Sequence, residues 1–267
     1  LYEFDTAAFE SKIEWRVGYA ETDRLEPDRR QYFLQGESLA TSSVERRWSD
    51  LNEVSNDIGL DYRGTFDWGE SNTTAVVVGA LLSDKERAVA LYRFGIRMGD
   101  SPMSLLVTEG GIDELLSVQN FAADAFRLRP ATASTDSYNS SERLGGYYIK
   151  LANDLGDQWS AELGARFESF TQDIAYPNVA PSNSGALEHE AWYPAVNLSW
   201  RASEELQFRL GYSQTVSYPG LIERSASQSY DPATDDAIFG TPELTVSEIN
   251  NIDFRVEYYF GQSNSVS

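Results

Sequence analysis

The stretch that decides the fold runs from Glu205 to Phe260, and its first strand reads Leu206-Gln207-Phe208-Arg209-Leu210-Gly211-Tyr212-Ser213. Leu206, Phe208, Leu210 and Tyr212 fall on one side of this alternation, and Gln207, Arg209, Gly211 and Ser213 on the other. A long irregular segment follows, from Ser217-Tyr218-Pro219-Gly220 through Asp231-Pro232 to Gly240-Thr241-Pro242-Glu243-Leu244. Alternation then returns, with Ile252, Phe254, Val256, Tyr258 and Phe260 against Asp253, Arg255 and Glu257. A period of two with one apolar and one charged face marks a half-buried strand. Two such strands around a long loop, each with a tight turn at its far end, form the repeating unit of an up-and-down antiparallel sheet.

The same unit recurs upstream. Ile13, Trp15, Val17 and Tyr19 alternate with Lys12, Glu14, Arg16 and Gly18, in a strand that extends through Arg29 to Phe33. After a polar loop at Gly36 to Ser43, a strand from about Val44 to Trp68 is clearest at Ile58, Leu60, Tyr62, Phe66 and Trp68. Residues 73 to 98 are either a hairpin turning at Asp84-Lys85-Glu86-Arg87 or one long strand. Parity selects the long strand: Val76, Val78, Ala80 and Leu82 are even-numbered, as are Tyr92, Phe94, Ile96 and Met98. Gly99 to Ser140 reads as a loop holding a short helix at Ile112 to Phe121. Strands follow at Tyr147–Leu151, Trp159–Phe167 and Trp192–Trp200, with a loop at Tyr176 to Glu190 and short turns at 153–157 and 202–205.

Composition narrows the function classes. The net charge of −21 argues against nucleic-acid binding, which needs a basic surface. The absence of cysteine removes disulfide scaffolds, thiol catalysis and cysteine-ligated metals. No apolar run is long enough for a transmembrane helix, but a spanning strand needs only about 10 residues. Residues 1–20 lack the pattern of a signal peptide, so an outer-membrane chain with this start is expected to be mature, trimmed or incomplete. Short turns alternate with long loops, and Trp68, Trp159, Trp200, Tyr258, Tyr259 and Phe260 cluster beside the short turns. Those are the marks of a membrane barrel with an aromatic girdle. Alternation by itself also fits a soluble β-sandwich.

Three blocks of residues resemble a known family. They are Arg209-Leu-Gly-Tyr-Ser213-Gln-Thr215-Val-Ser-Tyr-Pro219, then Gly240-Thr-Pro242-Glu-Leu244, then Asn251-Ile-Asp253-Phe-Arg-Val-Glu257-Tyr-Tyr-Phe260. Together they resemble the late barrel strands of TonB-dependent outer-membrane receptors. In that family the second block reads Gly-Asn-Pro-x-Leu and an Arg commonly precedes the first Pro; Thr241 and Tyr218 stand in those places here. The likeness is specific over about residues 140–267. It implies an all-β, antiparallel, up-and-down transmembrane barrel of 22 strands, of which residues 1–267 supply an incomplete segment of eight long strands. The plug domain and the terminal strand are expected to lie outside this chain. It also implies energy-coupled uptake of a large, scarce solute, a glycan or ferric siderophore. The partners implied are outer-membrane lipid, the solute and a TonB-type energy-transducing complex reached through the missing plug, and the location is the bacterial outer membrane.

Two other classes fit the residues: a small eight-stranded outer-membrane barrel acting as an anchor or adhesion module, and a soluble β-sandwich that binds glycans. Catalysis has little to work with. His189 is the only histidine, in what reads as a polar loop between Glu188 and Glu190. Asp231, Asp235 and Asp236 lack the one-three-five spacing and the glycine of a Ca²⁺ loop. No metal and no cofactor is expected. Arg166, Arg209 and Arg255 interleave with Glu162, Glu168 and Glu257, as Arg16 and Arg63 do with their own neighbours, which reads as a hydrated barrel wall. The candidate ligand contacts are the long-loop residues Tyr176, Trp192, Tyr193, Tyr218, Arg224 and Tyr230. The acidic balance tilts the expected solute towards a neutral glycan.

Overall fold

The computed structural model of the chain describes residues 2–6, 9–68, 71–179, 185–230, 233–234, 236–260 and 264–266. In chain order the strands are β1 (Tyr2–Thr6), β2 (Phe9–Gln31), β3 (Leu34–Gln35), β4 (Ser38–Leu39), β5 (Glu45–Asp67), β6 (Asn72–Met98), β7 (Phe126–Pro130) and β8 (Tyr138–Leu155). They continue with β9 (Trp159–Ala175), β10 (Gly185–Arg201), β11 (Leu206–Ser217), β12 (Gln228–Tyr230), β13 (Ala237–Phe239), β14 (Ser247–Phe260) and β15 (Asn264–Val266). Three short helices, α1 (Gly111–Leu115), α2 (Val118–Ala122) and α3 (Leu221–Arg224), lie in the loops.

One antiparallel sheet runs in the order β1-β2-β5-β6-β8-β9-β10-β11-β14-β15, with β7 on β6 above the end of β8. Neighbours in the sheet are neighbours in sequence, which is the up-and-down pattern the alternation predicts. β6 is a single 27-residue strand, as its parity required. The long side chains of one face stay exposed: Trp15, Val17 and Tyr19 on β2, Ile58 and Leu60 on β5, Leu163 on β9, Leu198 on β10 and Phe254 on β14. A water-soluble sandwich would bury that face against a second sheet. Here it is the lipid-facing surface of a transmembrane barrel wall.

Two aromatic belts mark the bilayer. Beside the short turns, Trp159 stacks on Trp200 and Trp200 on Phe208, each at 5.4 Å between ring centroids. Further up the same face, Tyr147, Phe167 and Trp192 form a triangle with centroids 5.2–5.5 Å apart. Trp159 and Phe167, like Trp192 and Trp200, are eight positions apart on one strand. At ~3.3 Å per residue and a ~40° tilt, that separation is about 20 Å along the membrane normal, close to the apolar band of an outer-membrane barrel.

Three expectations change in detail. β10 begins at Gly185, so His189 lies in a strand and not in a loop. The helix expected at 112–121 is two separate turns, α1 and α2, because Ser117 between them is extended at φ −72° and ψ 156°. The polar loop at 36–43 contains the β3–β4 hairpin, whose turn uses Gly36 at φ +64°.

The lumen-facing positions are charged and paired. Arg209 and Arg255 stand directly opposite each other, an unfavourable like-charge pair. Both reach the nearly buried carboxylate of Glu257, at 3.4 and 3.3 Å, which neutralises the clash. Arg166 pairs with Glu168, Lys150 with Glu162 at 3.3 Å, and Arg16 with Asp61 at 2.8 Å. Tyr148 donates to the same Asp61 across β6 at 2.8 Å, passing over Gly79, where a Cβ would collide with its ring. Lower down, Arg63, Asp154, Glu162, Arg209, Asp253 and Arg255 line an open concavity of about 680 Å³.

Candidate functional site

At the end of the wall away from the short turns, both faces acquire a cover. On the lipid-side face, above the upper belt, Ile96 and Phe126 pack with Leu39, Val44, Leu115 and Ala125 from the loops into a small apolar core. On the lumen side, the described residues of the segment 218–246, between β11 and β14, fold inward across the sheet as a strap. Its first turn is pinned by Pro219, whose carbonyl accepts from Gln172 Nε2 at 3.0 Å, and by the stacking of Tyr218 on Phe170 at 4.0 Å. Helix α3 then carries Leu221 into a buried group with Tyr138, Ile174 and Tyr176.

Polar contacts hold the rest of the strap. Arg224 is 2% exposed and donates from Nη1 to Gln172 Oε1 at 2.9 Å, and from Nη2 to the Pro242 carbonyl at 3.0 Å. One guanidinium thus joins the strap's outgoing limb, its returning limb and β9. Gln172 is fully buried and donates its other Nε2 proton to Glu142 on β8 at 3.0 Å. The Ala226 amide donates to the Tyr176 hydroxyl at 2.8 Å, and Ser227 Oγ donates to the Asp136 carbonyl at 2.8 Å. Asp136 in turn forks onto Arg93 of β6 at 2.7 and 3.0 Å. The strap therefore crosses the inner face from β11 to β6.

At the foot of the strap a chain of hydrogen bonds connects His189, Tyr193, Tyr218 and Glu168. His189 Nε2 lies 2.8 Å from the Tyr193 hydroxyl, Tyr193 bonds to Tyr218, and Tyr218 donates to Glu168 at 2.9 Å. Burial pushes the Tyr218 phenol far above its ordinary range, and the Glu168 carboxylate adds to the shift. Tyr218 consequently remains a proton donor at any working pH. His189 also lies 3.7 Å from Glu248, at the start of β14, so it stands between the two feet of the strap.

Of the candidate contacts, Tyr176, Tyr193, Tyr218 and Arg224 converge on this junction, where all four are engaged with protein. Trp192 is half-exposed on the opposite, lipid-facing side, in the upper belt. Tyr230 ends β12, near the tip of the strap, and its side chain lies outside the described residues, as do Asp231 and Asp235. Sequence reasoning missed Gln172, Glu142 and Asp136, and read Glu168 only as part of a hydrated wall. The only signal was parity, with positions 168 and 172 on the inward face of β9 and 142 on that of β8; Asp136 lies in the loop before β8 and carried none.

A family model described as "TonB dependent receptor-like, beta-barrel" matches residues 2–267. The chain belongs to this family. Its fold is that of two solved structures. The ferric citrate transporter FecA, in its unliganded form, superposes with a TM-score of 0.55 at 13% identity, over 97% of this chain and 31% of that one. The siderophore receptor PiuA from Acinetobacter baumannii gives 0.55 at 12% identity, over 97% of this chain and 36% of that one. The chain spans about a third of either receptor's length, and at these identities the likeness is one of fold. No curated protein matches the chain.

Proposed function

We propose that the chain forms part of the wall of an outer-membrane receptor that takes up a large, scarce solute, a ferric siderophore or an oligosaccharide, with energy delivered by a TonB-type complex. The observation that carries this reading is the strap, whose described residues turn inward and are locked by buried polar contacts at the mouth of a membrane-spanning wall. A wall built only to anchor has no use for a luminal cover of that kind. Family membership and the fold shared with two uptake receptors support the same reading. The charged concavity lower on the inner wall offers a seat for a plug domain, and we assign the plug and the terminal strand to the remainder of a longer receptor polypeptide.

The test has two parts. In native outer membranes an antibody against residues 230–243 should detect a species several times heavier than 29.9 kDa; a membrane species near that mass sinks the receptor reading. Cells carrying the receptor should accumulate a labelled solute from a panel of ferric siderophores and oligosaccharides, and dissipating the proton-motive force should abolish that accumulation. Accumulation indifferent to both the receptor and the proton-motive force contradicts the proposal.

A further inference from the structure

The chain's negative charge is not spread evenly. Just above the upper belt, the outward positions carry Glu21 and Asp23 on β2, Asp84 and Glu86 on β6, and Glu188 and Glu190 on β10. Arginines instead collect on the luminal side of the rim. Arg29 of β2 stands opposite Arg47 of β5, and Arg47 stands opposite Arg93 of β6. Three adjacent strands, spaced ~4.8 Å apart, thus present arginine in one row. Like charges directly opposite each other destabilise a sheet, and the carboxylates of Glu26, Glu45 and Asp136 offset this at Arg47 and Arg93.

The row continues upwards. Arg129 on β7 stands opposite Gly95, and a Cβ at Gly95 would lie 2.9 Å from Arg129 Nη2. The missing side chain lets this guanidinium lie across β6, towards β5. Arg97 occupies the next inward position of β6, and both Arg97 and Arg129 are exposed. Among the described residues neither forms an ion pair. Below them Arg47 pairs with Glu26 at 3.0 Å and lines a chamber of about 110 Å³ beneath strap residues Ser225 and Ser227. Arg93, already forked on Asp136, also donates to the side-chain carbonyl of Gln228, a neutral oxygen that an anionic oxygen could replace.

We propose that the row Arg29, Arg47 and Arg93, with Arg97 and Arg129 above it, binds a polyanionic solute carrying several carboxylate or phosphate groups at the mouth of the lumen. This rests on the uptake reading and narrows its solute class. The exposed pair draws the anion in, and the solute then takes the Arg93 contact from Gln228 on the strap. The net charge of −21 is a sum over both faces, and the luminal acids beside the row, Glu26, Glu45 and Asp136, are paired with Arg47 and Arg93.

The test titrates the purified full-length receptor with citrate, with inorganic pyrophosphate and with maltoheptaose, at ~50 and ~300 mM salt. Saturable binding of either anion is expected, weaker at high salt because exposed charges are then screened. Affinity should fall at least tenfold in R97Q/R129Q, recover in R97K/R129K and stay unchanged in R143Q, a surface arginine on the outward face. Citrate alone binding assigns carboxylate recognition, and pyrophosphate alone assigns phosphate. Anion affinity equal in wild type and R97Q/R129Q overturns the site, as does a receptor that binds only maltoheptaose. Energised, receptor-dependent uptake of a neutral solute that ignores R97Q/R129Q overturns the anion site while leaving the uptake reading standing. Loss of receptor-dependent uptake of every solute fails that reading by itself.

Discussion

The bilayer belt and the rim above it are cut from the same strands, yet they solve opposite problems. Between the Trp159–Trp200 and Phe167–Trp192 levels, one face meets lipid and the other meets a charged lumen, so each position is read by its parity alone. Above Phe167 neither face meets lipid. There the outward positions turn acidic, loops pack an apolar core against the outer surface, and the strap covers the inner one. The belt is held by its solvent; the rim is held by contacts between segments far apart in sequence. Substitutions that tell the two regimes apart should act strongly in one and weakly in the other.

The largest effect belongs to the belt. Leu163 lies midway between Trp159 and Phe167 and faces lipid. Leu163→Arg should destabilise the folded barrel by about 2–4 kcal/mol, the range for an arginine at the bilayer midplane. Glu188→Arg places the same side chain on the outward face of the rim and should change stability by less than about 0.5 kcal/mol. Urea unfolding in lipid vesicles measures both. Equal costs would mean that the belt does not sit where the aromatic residues place it.

Next comes the clamp of the rim. Arg224→Ala removes the bonds to Gln172 and to the Pro242 carbonyl and leaves one buried and one part-buried acceptor unpaired. Losing a charged, buried hydrogen-bond donor costs about 2 kcal/mol. Amide exchange over 218–246 should therefore quicken by about thirtyfold, while exchange in β9 between Trp159 and Phe167 stays unchanged. Acceleration spread evenly over strap and belt would show that the two regions are one cooperative unit.

The same division explains what could be read from sequence. Val76 to Met98 keeps one parity over its whole length, and β6 is one strand for that reason. The beginning of β10 was not legible, because the apolar/polar contrast that marks a lipid-facing strand disappears above the membrane. Ala186, Glu188 and Glu190 alternate with Leu187, His189 and Ala191 without an apolar outer face, and the segment reads as a loop. Tyr176, Tyr193, Tyr218 and Arg224 were singled out as loop aromatics and a loop cation. Their convergence was invisible because Gln172 and Glu168, which hold them, belong to β9 and are ordinary polar residues in its alternation.

A smaller effect probes the foot of the strap. Tyr218→Phe keeps the stack on Phe170 and deletes only the hydroxyl's hydrogen bonds, to Tyr193 and to Glu168, which remains paired with Arg166. The cost should be about 1 kcal/mol, seen as a severalfold rise in proteolytic nicking of the strap. Tyr218→Leu, which also removes the ring, should cost more. If the two variants behave alike, the stack contributes nothing and the hydroxyl carries the whole attachment.

The smallest effect lies on the outer side of the rim. Asp28 sits at the irregularity in β2 and accepts from Arg46 at 3.0 and 2.8 Å and from Arg30 at 2.9 Å. Those hydrogen bonds, Arg46 first, hold its carboxyl down at about 2 from an ordinary 3.8. A carboxyl depressed in the folded state stabilises it fully above the ordinary value and loses that contribution as pH falls through the depressed one. The advantage of wild type over Asp28→Asn should therefore be constant from pH 7 to about 5 and shrink between pH 4 and 2. Because the group is near the surface, the change should be small and should diminish further at high salt. Thermal unfolding of both proteins at pH 5 and pH 2 decides it. A difference that stays the same at both values would mean that the two arginines do not hold Asp28 in solution, and the irregularity would then owe its shape to Pro27 and the backbone alone.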